Sequence, residues 1–196
     1  MRRKTFDALV SAGGLVLAAV LLVAGGLLMW GYSFANGQVR DQLVAQKIVF
    51  PATSNPEFKA LPAADQAAMA AYAGQTLTSG AQAKTYADHF IAVHLAEMGQ
   101  GQTYSQLSAE SLARPKNAAL AGLVQTVFRG TTLRSMLLEA YGFWQFGQIA
   151  LFGAIASFTG AGLLLILAAL GLVHGRRVPA GAEVLAKTVQ ATTATA

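Results

Sequence analysis

The sequence predicts an all-α membrane protein in which two transmembrane helices flank a small helical extracytoplasmic domain. Three observations predict it. Two apolar runs, residues 8–30 and 146–173, contain no Asp, Glu, Lys or Arg. Arg2, Arg3 and Lys4 precede the first run, and Arg176 and Arg177 follow the second, whereas the inward ends of both runs carry aromatics. The stretch between them shows helix caps and Gly/Pro punctuation but no period-2 alternation.

Residues 1–7 are then a cytoplasmic N-terminus and residues 8–30 the first span. At 1.5 Å per helical residue both runs exceed the ~30 Å hydrocarbon core of a bilayer. Lys and Arg beside a span favour the cytoplasmic side, and Trp and Tyr rings settle at the headgroups. Trp30, Tyr32 and Phe34 after the first run, and Tyr141, Phe143 and Trp144 before the second, therefore mark the outer interface. A cleaved signal peptide is the competing reading, with Ser33-Phe34-Ala35 as its cleavage site. Its apolar core would be ~7–15 residues, shorter than this run, so an uncleaved anchor is expected.

Residues 31–143 form the expected extracytoplasmic domain. Residues 38–48 carry Val39 and Leu43 at helical spacing and stop at Phe50-Pro51. Pro51, Pro56 and Pro62 predict an extended connector over residues 49–62. The Ala-rich segment 63–73 predicts a helix, with Gly74 near its end. Ser79 is the expected N-cap of the next helix, which runs to Met98, and Thr103 that of a short helix over residues 104–113. From Asn117 the helical pattern meets no proline before the membrane, so this helix is expected to run into the second span, with Gly130 or Gly142 as its points of interruption. Residues 144–173 are the second span and residues 174–196 a cytoplasmic tail, whose Ala/Thr-rich end reads as disordered.

Composition narrows the chemistry. Most of the net charge of +5 belongs to the span flanks, and the outer domain is nearly balanced. That is no nucleic-acid footprint, which needs a clustered basic face. The chain has no cysteine, so disulfides, thiol nucleophiles and thiolate metal sites are excluded. No GxSxG, HExxH, P-loop or dinucleotide fingerprint occurs. Neither run holds the ionisable residue that pumps and proton relays place inside the membrane.

The densest polar segment is residues 86–97, with Asp88, His89, His94 and Glu97 around Tyr86 and Phe90. Residues five apart differ by ~140° around a helix, so His89 and His94 do not form the i,i+4 pair a helical metal site needs. On a regular helix Ala83, Ala87, Phe90, Ile91, His94 and Met98 share one arc, while Lys84, Asp88 and His89 lie away from it. His94 is thus expected to face the core, as a packed imidazole rather than a pH sensor or ligand, and His89 to be solvated. Arg129 and Arg134 read as interfacial anchors, with docking of a neighbouring subunit or anionic lipid as the alternative. Gly153, Ser157 and Ala161 recur every four residues, a small-residue face that lets helices approach, with the first span as expected neighbour. No catalytic, metal or cofactor site is expected.

The order QVRDQLVAQKIVFP, YADHFIAVHL, Gly101-Gln102-Thr103-Tyr104-Ser105-Gln106-Leu107 and LLEAYGFWQFGQIALF resembles a group of two-span membrane proteins of actinobacteria. Its members often carry the label aromatic ring-opening dioxygenase. The resemblance covers residues 1–178, and His94, Gly101, Thr103, Tyr104 and Leu107 match a recurring helix-then-GxTY segment. It implies a plasma-membrane protein with a helical outer domain and no established activity. The label itself finds no support in the residues, because a non-haem iron centre needs two histidines and a carboxylate on one face. The sequence therefore points to a non-enzymatic protein of the plasma membrane, both termini cytoplasmic, whose outer domain binds an envelope or membrane partner as an accessory subunit. The alternative is a lipid- or small-molecule-binding, or pH-responsive, sensor domain.

Overall fold

A computed structural model describes residues 2–179 and 181–184. Among them the chain is helical, without a strand: α1 Arg3–Ala45, α2 Pro56–Ala60, α3 Ala63–Met69, α4 Gly80–Tyr86, α5 Ala92–Met98, α6 Tyr104–Ala113 and α7 Ala118–Arg177. α1 and α7 are each long and apolar enough to cross a membrane. The chain divides into two compact units, Met1–Trp30 with Ala150–Ala196, and Gly31–Ile149. α1 and α7 contribute to both.

In the first unit the two long helices run antiparallel through small residues. Ser11, Ala18 and Gly25 of α1 and Ala154, Ala161 and Ala168 of α7 are buried, each set at seven-residue intervals. Seven is the period of a left-handed helix seam. A Cβ on Gly14 would lie 3.7 Å from Ala168, one on Gly25 2.8 Å from the Phe158 ring, and one on Gly160 3.2 Å from Leu21. A Cβ on Gly153 would lie 3.1 Å from Leu28, Ser157 is half-buried and Ala161 has no exposed surface. Large side chains such as Val23, Leu27, Phe152 and Ile166 point outward instead. After α7, Ala182 accepts a hydrogen bond from the Arg3 N–H at 2.9 Å. Residues 185–196, part of the expected disordered tail, lie outside the described residues.

The second unit packs α2–α5 against the remaining parts of α1 and α7. Val39 and Leu43 of α1, Leu137 of α7, and Phe50, Phe58, Leu61, Met69, Leu77, Ala83, Ala87 and Ile91 form one buried cluster. The segment around Phe50 is fastened by hydrogen bonds from Leu77 N–H to Ile48 O (2.9 Å), Phe50 N–H to Gln75 O (2.9 Å) and Gly74 N–H to Phe50 O (3.1 Å). Gly74 turns there with φ +72°, a conformation that disfavours a side chain.

Local signals explain most boundaries. Ser79 caps α4 through a box in which its hydroxyl accepts from Gln82 N–H and the Gln82 side chain accepts from Ser79 N–H. Thr103 and Gln106 repeat the device on α6. The expected extended connector 49–62 is not wholly extended, because Asn55 caps the short helix α2 with Pro56 at its first position and Glu57 beside it. α1 continues without a break from the apolar run to Ala45, and α7 is uninterrupted at both Gly130 and Gly142.

α4 meets α7 where Gly80 lies on Trp144, closer than any Cβ would allow. Gly80→Ala should therefore cost about 1–3 kcal/mol through forced displacement. Gly122→Ala, in open space on α7, should be neutral or stabilise by about 0.5–1 kcal/mol. Thermal melts of the purified full chain check both, and equal melting temperatures for the two variants would refute the close contact.

Candidate functional site

The segment singled out for its histidines is not one regular helix. Between α4 and α5, Ala87–Ile91 form a π turn, in which Ala92 N–H reaches back to Ala87 O. Such a turn inserts an extra residue and sets back everything after it by on the order of 100°. Ala83, Ala87 and Ile91 stay buried, but His94 moves to the half-buried edge of the face and Met98 is 41% exposed. The regular-helix arc that centred His94 in the core is corrected accordingly.

His94 Nδ1 lies 2.8 Å from the carbonyl of Phe90 in its own helix, and its ring packs on Phe90 at 4.4 Å. The contact extends a ladder of rings: Phe90 on Tyr86 (4.8 Å), Tyr86 on Phe50 (5.2 Å) and Phe50 on Tyr72 (5.4 Å). Burial, and then the charge of Glu57, pushes the Tyr86 hydroxyl above its ordinary range, which keeps it neutral. Tyr86, Phe90 and His94 thus fill space rather than frame a cavity.

His89 is not simply solvated. Its Nδ1 lies 2.7 Å from Asp65 Oδ1 on α3, across 24 residues of sequence. Arg134 differs from a free interfacial anchor in the same way: its Nη2 donates to Asp88 Oδ1 at 2.8 Å and its Nε to Ala87 O at 3.2 Å. Asp88 also pairs with Lys84, whose ammonium lies 5.6 Å above the Tyr141 ring. Burial pushes the Asp88 carboxyl up, but hydrogen bonds and charge from Lys84 and Arg134 outweigh it and hold it below the usual carboxylate range. Arg129 is exposed. His89, His94 and Glu97 do not converge, and among the described residues no three His, Asp or Glu side chains gather as metal ligands would.

The residues of the helix-then-GxTY segment have architectural roles. Gly101 turns with φ +79°, Thr103 caps α6, Leu107 is 2% exposed, and Tyr104 packs on Phe128 at 5.4 Å.

A concave feature of this unit lies elsewhere. A groove of about 780 Å³ runs between α1 and α7, within the ~300–1,000 Å³ of small-molecule sites. Phe34, Gln38 and Gln42 line it from α1, Gln46 from just past its end, and Leu133, Met136, Glu139, Phe143 and Phe146 from α7. Phe34 and Phe143 meet edge to face at 6.5 Å, while Met136 and Phe146 are 62% and 71% exposed. Glu139 makes no hydrogen bond or ion pair among the described residues. Sequence reasoning missed the groove, although its signal is present: glutamines at i and i+4 on one helix with a third just past its end, and an apolar stripe on the other that continues beyond the second apolar run.

Among known proteins the chain matches no family model, no curated protein and no solved structure.

The Asp88 cluster yields a pH dependence with a definite sign. Because the folded carboxyl titrates below the unfolded value of ~3.9, its stabilisation is complete above that value and is lost as pH falls through the lower one. The stability gap between wild type and Asp88→Asn should therefore be constant near neutrality and shrink below about pH 4. Arg134→Gln should cost about 1–2 kcal/mol, with a coupling to Asp88→Asn of about 0.5–1 kcal/mol for a partly exposed pair. A double-mutant cycle from thermal melts at several pH values measures both, and zero coupling at neutral pH would refute the assignment.

Proposed function

We propose that the chain is a non-enzymatic integral protein of the plasma membrane. Both termini are cytoplasmic, and the helical unit Gly31–Ile149 is extracytoplasmic and binds an envelope or membrane partner as an accessory subunit. The membrane reading is supported by two helices of sufficient length and apolarity, whose large side chains face outward. Basic residues at the ends of both runs support the orientation. Outward-facing Leu, Val and Phe of this density are an aggregation surface in water and an ordinary one in lipid.

The observation that carries the binding reading is the groove, where Phe34, Met136, Phe143 and Phe146 leave apolar surface uncovered. It contains no nucleophile paired with a base, and its one carboxylate has no companion, so recognition fits it better than catalysis. A pH-responsive role for His94 draws less support, since its ring is stacked and its Nδ1 is bonded within its own helix.

Two measurements test the proposal. Cysteines at the exposed Ser54 and Ser105 should react with a membrane-impermeant thiol reagent in intact cells, and one at Thr192 only after the membrane is opened. The reverse pattern would overturn the topology. A photo-crosslinking amino acid at Phe143 should capture a membrane or envelope component in those cells, whereas one at exposed Ala119 should not. Equal capture at both positions would overturn the groove as the binding surface.

A further inference from the structure

We propose that the groove between α1 and α7 takes one alkyl chain of an amine-bearing membrane lipid, its head at Glu139. The proposal rests on the membrane reading above and names the partner of the same groove. Three features carry it. The first is apolar continuity: the exposed stripe Phe146, Phe143 and Met136 extends the pattern of the second apolar run, and Phe34 lies four residues past the first. A lipid tail against Phe146, itself the first residue of that run, therefore meets the apolar side chains of Phe143 and Phe34 in the groove. The second is the placing of the polar groups. Phe34, Phe143 and Phe146 line the end next to the apolar runs; on α7 Glu139 lies one to two turns from Phe143 and Phe146, with Met136 and Leu133 beyond it, and on α1 Gln38 and Gln42 lie one and about two turns past Phe34. A chain lying with its tail against the phenylalanines brings its head to the carboxylate and the amide.

The third feature is charge. Among the residues lining the groove Glu139 alone is charged, and no Lys, Arg or His accompanies it. Arg134, one turn away on the same helix, is committed to Asp88 and Ala87. An anionic head would meet an uncompensated carboxylate, whereas an ammonium gains an ion pair with it and donates hydrogen bonds to amide oxygens. A helix of a protein partner would also cover the apolar wall, but it gives no reason for an unpaired acid in the middle of that wall.

The test uses the full chain in nanodiscs with two photoreactive amphiphiles of equal length, a diazirine-bearing hexadecyl ammonium and the corresponding carboxylate. Adducts are mapped by mass spectrometry at Met136 and Phe143, and at Phe152 and Ile155, which report labelling by bulk lipid. The groove-to-span ratio should be at least fivefold higher for the ammonium. Glu139→Gln should make the two ratios equal. Gly142→Trp, which adds a ring at a groove-lining position whose Cβ would meet no packed neighbour within 4 Å, should remove groove adducts for both amphiphiles and leave span adducts intact. Equal ratios in the wild type, or groove labelling indifferent to Gly142→Trp, would overturn the proposal. Groove labelling that appears in nanodiscs but is blocked in native membranes would assign the groove to a protein partner and overturn it while leaving the binding reading standing. Unlabelled Phe152 and Ile155 would overturn the membrane reading itself.

Discussion

α7 is one unbroken hydrogen-bond ladder of 60 residues, and the packing of both units depends on what can approach it closely. In the first unit the approach is made by Gly25 against Phe158 and by Leu28 against Gly153. In the second it is made by Gly80 against Trp144, by Leu95 against Gly130 and by Ala35 against Gly147. Each contact pairs a missing or minimal side chain with a larger one. Dispersion between individually weak atom pairs accumulates only at such short range, so these positions hold neighbours that no long apolar side chain could hold as tightly.

A helix so long must satisfy its surroundings as well as itself. The second unit does so with short-range devices: two capping boxes, an Asn-Pro start at α2, and side-chain amides on loop carbonyls, as when Gln66 Nε2 donates to Leu61 O at 2.8 Å. Two side-chain links across long stretches of sequence, Arg134 to Asp88 and His89 to Asp65, tie α7 and α3 to the π turn. Polar groups thus specify alignment while ring and methyl contacts supply most of the cohesion.

The parts legible in the sequence were those written in contiguous residues. Ser79 and Thr103 are followed three positions later by glutamine, and both caps formed as expected; the boundaries of α6 followed from Thr103 and Pro115. The two apolar runs announced α1 and α7 through composition alone. What stayed hidden depended on partners far along the chain. The π turn is braced by an arginine 47 residues away, and a projection with 3.6 residues per turn has no means of anticipating it. His89 read as solvated because Asp65 sits on another helix. α2 was obscured by prolines that signal extended chain in general, although Asn55-Pro56-Glu57 carries its own start signal. The groove was missed because it is a property of two helices together, and the spacings of Gln38 and Gln42 and of Met136 and Phe143 are ordinary on either helix alone.

The π turn also has a consequence for how this chain tolerates changes in length. The stretch from Ser79 to Gly99 contains one residue more than a regular helix needs to join the same two ends. Elsewhere in a packed helix, losing a residue twists everything downstream out of register. Between Ala87 and Ile91 the same loss closes an ordinary ladder and leaves both flanking loops within one residue's rise of where they began. The turn is slack stored in a tight element, and it is the place where this domain can absorb a deletion without being rebuilt.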